Sequence, residues 1–136
     1  MTARAYVPGV AEGRVVRLSQ PLSFWGGLDG ATGRVIDRLH PELGALVAGH
    51  ILVMPCGRGS SSSASVLAEA LRRGTGPRGI VLERPDSILA VGALIARELY
   101  GIVCPIVVAP PGPWRSGEWL HIVASDDGAA EVSSSV

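Results

Sequence analysis

The chain has 136 residues, of which 47% are hydrophobic, and this length suits one compact domain. Its formal net charge is zero, so no overall field favours nucleic acid or an anionic membrane as a partner. All twelve basic residues are arginine, which excludes reactions that need a lysine, including Schiff-base formation and phosphate binding by a Walker P-loop.

The first third of the chain is predicted to be rich in β-structure. Residues 3–18 contain short apolar runs interrupted by Pro8, Gly9 and Gly13, a pattern typical of short strands with tight turns. Residues 21–33 form a predicted loop in which two aromatic residues precede paired glycines. Phe24 and Trp25 can anchor this loop to the core or line a site, whereas Gly26 and Gly27 can line a cleft because glycine permits close approach of a backbone.

From residue 50 onward, predicted strands alternate with predicted helices. Three short apolar runs without alternation indicate strands covered on both faces. Two stretches with apolar residues at helical spacing separate these strands, and each ends before a glycine. The strands cover residues 51–54, 79–82 and 106–108, and the helices cover residues 65–73 and 87–100. This order predicts an α/β fold: a single layered domain with a partly parallel sheet.

The predicted domain ends near residue 125. Residues 118–123 form the last predicted strand, after a proline-rich turn. Residues 126–136 are rich in serine, and we expect them to form a disordered tail.

Nothing in the sequence indicates export or a metal site. No segment approaches the roughly 20 consecutive apolar residues of a membrane span, and the first ten residues lack a signal-peptide pattern, so we expect a cytoplasmic protein. Cys56 and Cys104 lack CxxC spacing, and each is predicted to be a small buried residue. His40, beside Pro41, is predicted to be a surface or turn residue, and Arg78 and Asp86 are predicted to be solvated.

The segment with the clearest chemical content is residues 55–63, between a predicted strand and a predicted helix. At the carboxyl end of a parallel strand, the free N–H groups of the following helix favour an anion. Gly57 and Gly59 permit a tight turn, Arg58 supplies a cation, and the serines supply hydroxyl groups. A simpler interpretation is that Ser62 or Ser63 only caps the helix.

Two other motifs were compared with this loop. A nucleophile elbow needs glycine on both sides of its serine, and this pattern is absent. A dinucleotide fingerprint fits better, because Gly57 and Gly59 follow a strand and Glu83 ends the next one, but Ser62 replaces the third glycine. A nucleotide- or anion-binding module without catalytic activity therefore stays an alternative.

Two separated motifs resemble the aconitase X swivel domain family. These are the stretch from Pro21 to Asp29 with Thr32 and Gly33, and the loop from Gly57 to Ser61; residues 90–105 are also similar. The resemblance covers roughly residues 8–108. It implies a swivelling β/β/α domain that closes over a large catalytic domain, supplied here as a separate large subunit.

The resemblance also implies roles for individual residues. Ser60 matches the serine that removes a proton next to a carboxylate, and Ser61 matches the neighbour that helps to hold the substrate. We expect Arg58, Gly59, Gly26 and Gly27 to contribute to substrate binding, whereas the places of Phe24, Trp25, Asp29 and His40 stay open. An iron or iron–sulfur centre is expected in the partner subunit and no cofactor in this chain, so this chain alone should be inactive.

The resemblance implies a hydro-lyase with one of two substrates. Ser62, Ser63 and Ala64 stand where aconitase itself carries an arginine, which disfavours recognition of citrate. Within the family, one reaction dehydrates cis-3-hydroxy-L-proline in bacteria and another dehydrates phosphomevalonate in archaea. The exclusive use of arginine, with abundant alanine and glycine, suggests a GC-rich genome and favours the hydroxyproline reaction.

Overall fold

The computed structural model describes residues 1–134, which form seven strands and three helices. The strands are β1 Thr2–Val7, β2 Gly9–Arg17, β3 Ile51–Met54, β4 Gly79–Leu82, β5 Ile106–Val108, β6 Trp119–Ala124 and β7 Ala129–Ser134. The helices are α1 Phe24–Gly27, α2 Ser63–Arg73 and α3 Ser87–Tyr100. No helix among these residues is long and apolar enough to cross a membrane.

The strands form one sheet in the order β1-β5-β4-β3-β2-β6-β7, which closes because β1 also pairs with β7. Strands β2, β3, β4 and β5 pair in parallel, and the other pairs are antiparallel. The helices α2 and α3 follow β3 and β4 and pack against each other. The predicted α/β fold with a partly parallel sheet is therefore confirmed.

Two apolar cores explain why the parallel strands lack alternation. Ile51, Val53 and Val81 point into the closed sheet, where they pack with side chains from β6 and β7. Leu52 and Ile80 point the other way and pack against the helices and the loops that precede β3. Because side chains alternate along a strand, strands buried on both faces need apolar residues at every position.

The C-terminal prediction is wrong where it can be compared with the structure. Residues 129–134 form β7, which pairs with both β6 and β1. Ala130 and Val132 are buried within the closed sheet. The predicted tail is thus partly a strand that completes the fold, and the last two of its residues lie outside the described residues.

Candidate functional site

The candidate site lies where the parallel strands β3 and β4 end and their helices begin. The loop 55–62 joins β3 to α2, and residues 83–86 join β4 to α3. A third segment lies alongside, because Leu22 forms a parallel bridge with Gly57 and its carbonyl accepts a hydrogen bond from Arg58 N at 3.2 Å. These segments enclose a cavity of about 190 Å³, lined by Leu22, Phe24, Gly57, Arg58, Gly59, Ser60, Ser63, Asp86, Ile88 and Leu89.

Gly59 is required by the conformation of the loop. Its φ is +96°, a region that residues with side chains rarely adopt. A Cβ atom at this position would also lie 2.6 Å from Ser23 Oγ. Gly59 therefore lies directly against Ser23, in the segment before α1. The Ser23 hydroxyl itself donates to the carbonyl of Trp25 at 2.8 Å.

Ser60 is exposed and lines the cavity. Its Oγ accepts a hydrogen bond from Ser62 N at 3.1 Å, and its carbonyl accepts one from Ser63 N at 3.0 Å. Since a backbone N–H points at the hydroxyl oxygen, negative charge on that oxygen would be stabilised. The Ser60 side chain is thus placed at the start of α2 with a donor already in position.

The expected side-chain cap of α2 is absent. Ser62 occupies the N-cap position, but its side chain makes no capping hydrogen bond. Ser63 is buried, and its Oγ accepts from Trp25 N at 3.1 Å, which ties α1 to α2. The capping interpretation of this serine run is wrong, because the hydroxyls of Ser60 and Ser63 are used elsewhere.

Arg58 is held by a carboxylate that the sequence did not single out. Its Nη2 lies 3.3 Å from Asp37 Oδ2; the Arg58 side chain is 59% exposed and the Asp37 side chain 20%. Asp37 Oδ1 also accepts from Leu39 N at 2.9 Å, which fixes the carboxylate. No sequence motif indicated this pair, because its members are 21 residues apart.

Asp86 is not a solvated residue, contrary to the sequence prediction. It is the N-cap of α3, and its Oδ1 accepts from Ile88 N at 2.9 Å and from Leu89 N at 3.1 Å. Its Oδ2 lies against Gly57, where an added Cβ would come within 2.2 Å of it. The signal was present in the sequence, because an aspartate directly before a helix is a favourable cap.

The other predicted site residues lie outside this cavity. Ser61 is exposed on the same loop but does not contribute to the lining. Gly26 lines a separate cavity of about 310 Å³ beside α2, and Gly27 is buried against Leu22. Neither glycine lines the cavity at Ser60, and their role in substrate binding stays a prediction. Glu83, the acidic residue of the nucleotide alternative, is exposed and is not part of the lining either.

The sequence left open whether Phe24, Trp25, Asp29 and His40 line the active site, and none of them except Phe24 lines the cavity at Ser60. Phe24 is fully buried, whereas Trp25 is 58% exposed and does not pack in the core. Asp29 accepts from Ala31 N and from the Thr32 hydroxyl, and these bonds lower the pKa of its carboxyl group. His40 is buried, with Nδ1 accepting from the backbone in its own turn and Nε2 bonded to a backbone carbonyl.

The two cysteines differ in their surroundings. Cys104 is buried, and burial raises the pKa of its thiol to about 12. Cys56 is half-buried, and its Sγ lies 3.0 Å from Arg84 Nη2, which raises the pKa of that guanidinium. Within residues 1–134, no three His, Cys, Asp or Glu side chains come together as metal ligands.

A larger cavity lies at the opposite edge of the sheet, where the parallel strands begin. It has a volume of about 630 Å³ and is lined by Val10, Ala11, Glu12, Gly49, Leu71, Gly74, Gly76, Pro77, Arg78, Ile102 and Val103. Its lining contains no hydroxyl, thiol or imidazole group, and no helix begins there. The smaller cavity at Ser60 is therefore the better candidate for chemistry.

Comparison with known proteins identifies the family of this chain. A family model described as the aconitase X swivel domain matches residues 1–132. The chain belongs to the aconitase X swivel domain family. A crystal structure of Thermococcus kodakaraensis aconitase X in its holo form superposes with a TM-score of 0.83 at 32% identity, covering 98% of both chains.

The curated relatives carry two different names. The chain is 46% identical over 103 residues to cis-3-hydroxy-L-proline dehydratase of Pseudomonas aeruginosa, a match that covers 76% of this chain and 18% of that protein. It is 36% identical over 133 residues to the phosphomevalonate dehydratase small subunit of Thermococcus onnurineus, covering 97% of both. The matched segment is thus less than a fifth of the hydroxyproline dehydratase but nearly all of the Thermococcus onnurineus small subunit.

Proposed function

We propose that this chain is the small subunit of an aconitase X-type hydro-lyase and that Ser60 removes the substrate proton. The observation that carries the proposal is the position of the Ser60 hydroxyl, at a cavity formed where two parallel strands end and two helices begin. The carbon–hydrogen bond next to a carboxylate breaks and its proton passes to Ser60 Oγ. The electron pair forms a carbon–carbon double bond, and the hydroxyl group on the neighbouring carbon leaves and is protonated to water.

A serine can act as a base only when its alkoxide form is stabilised. Ser62 N donates to Oγ at 3.1 Å, and the first turn of α2 contributes the positive end of its dipole. Arg58 lines the same cavity and supplies N–H donors there, while Asp37 offsets its net charge. Each of these electrostatic interactions would be stronger if water were excluded from the cavity. Because the loop is exposed in this chain, water can be excluded only when another surface covers the loop.

The covering surface is a large catalytic subunit. An apolar stripe on the outer face of α3, formed by Val91, Leu94, Ile95 and Leu99, is between 36% and 69% exposed. The same helix lines the Ser60 cavity through its first turn, so the stripe is continuous with the site. In the hydroxyproline dehydratases the matched segment is part of a much longer chain, which is consistent with a partner at this face. In this proposal the iron or iron–sulfur centre belongs to that partner, as the family resemblance implies.

The substrate is cis-3-hydroxy-L-proline or phosphomevalonate. The hydroxyproline dehydratases share 43% and 46% identity over 76% of this chain. Two phosphomevalonate dehydratase small subunits share a similar identity, 42% and 45%, over 71% and 62% of it. Two others, both from Thermococcus species, match along 97% of the chain at 36% and 38% identity. We favour the hydroxyproline reaction because the exclusive use of arginine, with abundant alanine and glycine, suggests a GC-rich genome.

The test is turnover by the assembled complex. The chain is co-expressed with its large subunit, and both substrates are assayed with the wild-type complex and with the Ser60→Ala variant. Loss of a general base should lower kcat by about 10²–10⁴-fold. Ser65→Ala is the matched control, since this exposed serine of α2 lies outside the cavity and should leave kcat unchanged. A Ser60→Ala complex that retains the wild-type rate would disprove the proposal.

A further inference from the structure

The cavity at Ser60 contains a second group capable of binding substrate. Asp86 lines the cavity, and both of its capping hydrogen bonds go to Oδ1. Within residues 1–134, no hydrogen-bond donor contacts Asp86 Oδ2. This oxygen is also not among the buried polar atoms that lack a partner. An acceptor oxygen of a carboxylate is therefore open to a ligand while the side chain itself is fixed by the helix.

The fixed charges around the cavity nearly cancel. Arg58 is paired with Asp37, so these two charges offset each other. Asp86 carries one negative charge, and the N-termini of α2 and α3 each contribute roughly half a positive charge. The cavity is thus close to neutral but polarised, with its positive end at the start of α2 and its negative end at Asp86.

A zwitterion fits such a cavity better than a dianion. In an α-amino acid the carbon that loses the proton carries both the carboxylate and the ammonium group, so both charges lie within a few bonds of the Ser60 hydroxyl. The carboxylate can face the N–H groups at the start of α2, and the ammonium group can donate to Asp86 Oδ2. A phosphate group near Asp86 would instead be repelled.

We propose that Asp86 Oδ2 binds the protonated amine of a zwitterionic hydroxy amino acid and so determines the substrate class. This inference rests on the proposed function, because it assumes that Ser60 removes the proton. It makes Asp86 a substrate-binding residue in addition to its role as the cap of α3. Its position is maintained by Gly57, because a side chain there would collide with Oδ2.

The decisive variant is Asp86→Asn in the complex with the large subunit. Asparagine caps a helix about as well as aspartate, so the fold should be unaffected and Tm should change by less than about 2 °C. Replacing the charged acceptor by an amide should raise KM for cis-3-hydroxy-L-proline by roughly 10–100-fold, with a smaller change in kcat. Asp127→Asn is the matched control, because Asp127 also accepts one backbone N–H, from Ala129, but lies in the turn between β6 and β7.

A second measurement separates this inference from the proposed function. In the Ser60→Ala background, which should bind without turnover, calorimetry compares the affinity for cis-3-hydroxy-L-proline with and without Asp86→Asn. A 10–100-fold loss of affinity supports the role of Asp86, even if Ser60 proves dispensable for turnover. Unchanged KM and affinity in Asp86→Asn would overturn the inference, as would a wild-type complex that dehydrates phosphomevalonate but not the amino acid.

Discussion

The contact between Gly57 and Asp86 predicts that Gly57→Ala destabilises the protein through the cap of α3. The new Cβ would lie 2.2 Å from Asp86 Oδ2 and 3.0 Å from Leu89 Cδ1, so both side chains must move. Loss of the cap costs about 1 kcal/mol, and displacement of a buried leucine adds about 1–2 kcal/mol. The sum of about 2–3 kcal/mol should lower Tm by about 7–10 °C in a domain of this size.

A double-mutant cycle with Asp86→Ala tests this explanation. When the carboxylate has already been removed, Gly57→Ala should cost about 1 kcal/mol less than in the wild-type background. Thermal unfolding followed by circular dichroism measures all four proteins, and Gly30→Ala is the control, since the nearest atom to its added Cβ is a flexible arginine nitrogen at 3.9 Å. Additive effects within about 0.5 kcal/mol, or a Gly57→Ala protein with an unchanged Tm, would refute the proposed contact.

Three further predictions follow from the surface charge, the apolar stripe and the thiols. Folding lowers the pKa of Asp29, so the ionised carboxylate stabilises the protein above about pH 4 and this stabilisation is lost as the pH falls further. Asp29→Asn should therefore flatten the dependence of Tm on pH between about 5 and 2. Leu99→Glu, in the apolar stripe of α3, should leave Tm unchanged but abolish co-purification with the large subunit. Val123→Glu, at an exposed position on β6, should leave co-purification intact. Equal retention of both variants would contradict binding of the large subunit at the stripe. At pH 8 in the native state, a thiol reagent should label Cys56 and leave Cys104 unmodified, and denaturant should expose both; rapid native labelling of Cys104 would show that it is not buried.

The elements between residues 50 and 108 could be predicted because their signals are local. Continuous apolar runs indicated β3, β4 and β5, and the glycines at positions 74 and 101 ended α2 and α3 as expected. The loop 55–63 was also recognisable, since glycines and serines between a strand and a helix indicate a binding turn. In the structure Arg58, Gly59 and Ser60 line one cavity, and their roles in binding and proton removal stay predictions.

Interactions between distant segments could not be read from the chain. Asp37 reaches Arg58 across 21 residues, and Gly57 contacts Asp86 across 29, so neither pair leaves a local pattern. The sequence likewise did not indicate that Gly26 lines a cavity beside α2 and not the cavity at Ser60.

The sequence by itself determined the parallel strands, the helices that follow them and the presence of a polar turn with a serine at position 60. These features depend on spacing along the chain, which the order of residues specifies directly. Only the tertiary structure decided that residues 129–134 form a strand and that Asp86 shares a cavity with Ser60. The segment 129–134 is weakly apolar, and it becomes a strand because β1 and β6 supply hydrogen-bonding partners on both sides and the closed sheet buries Ala130 and Val132.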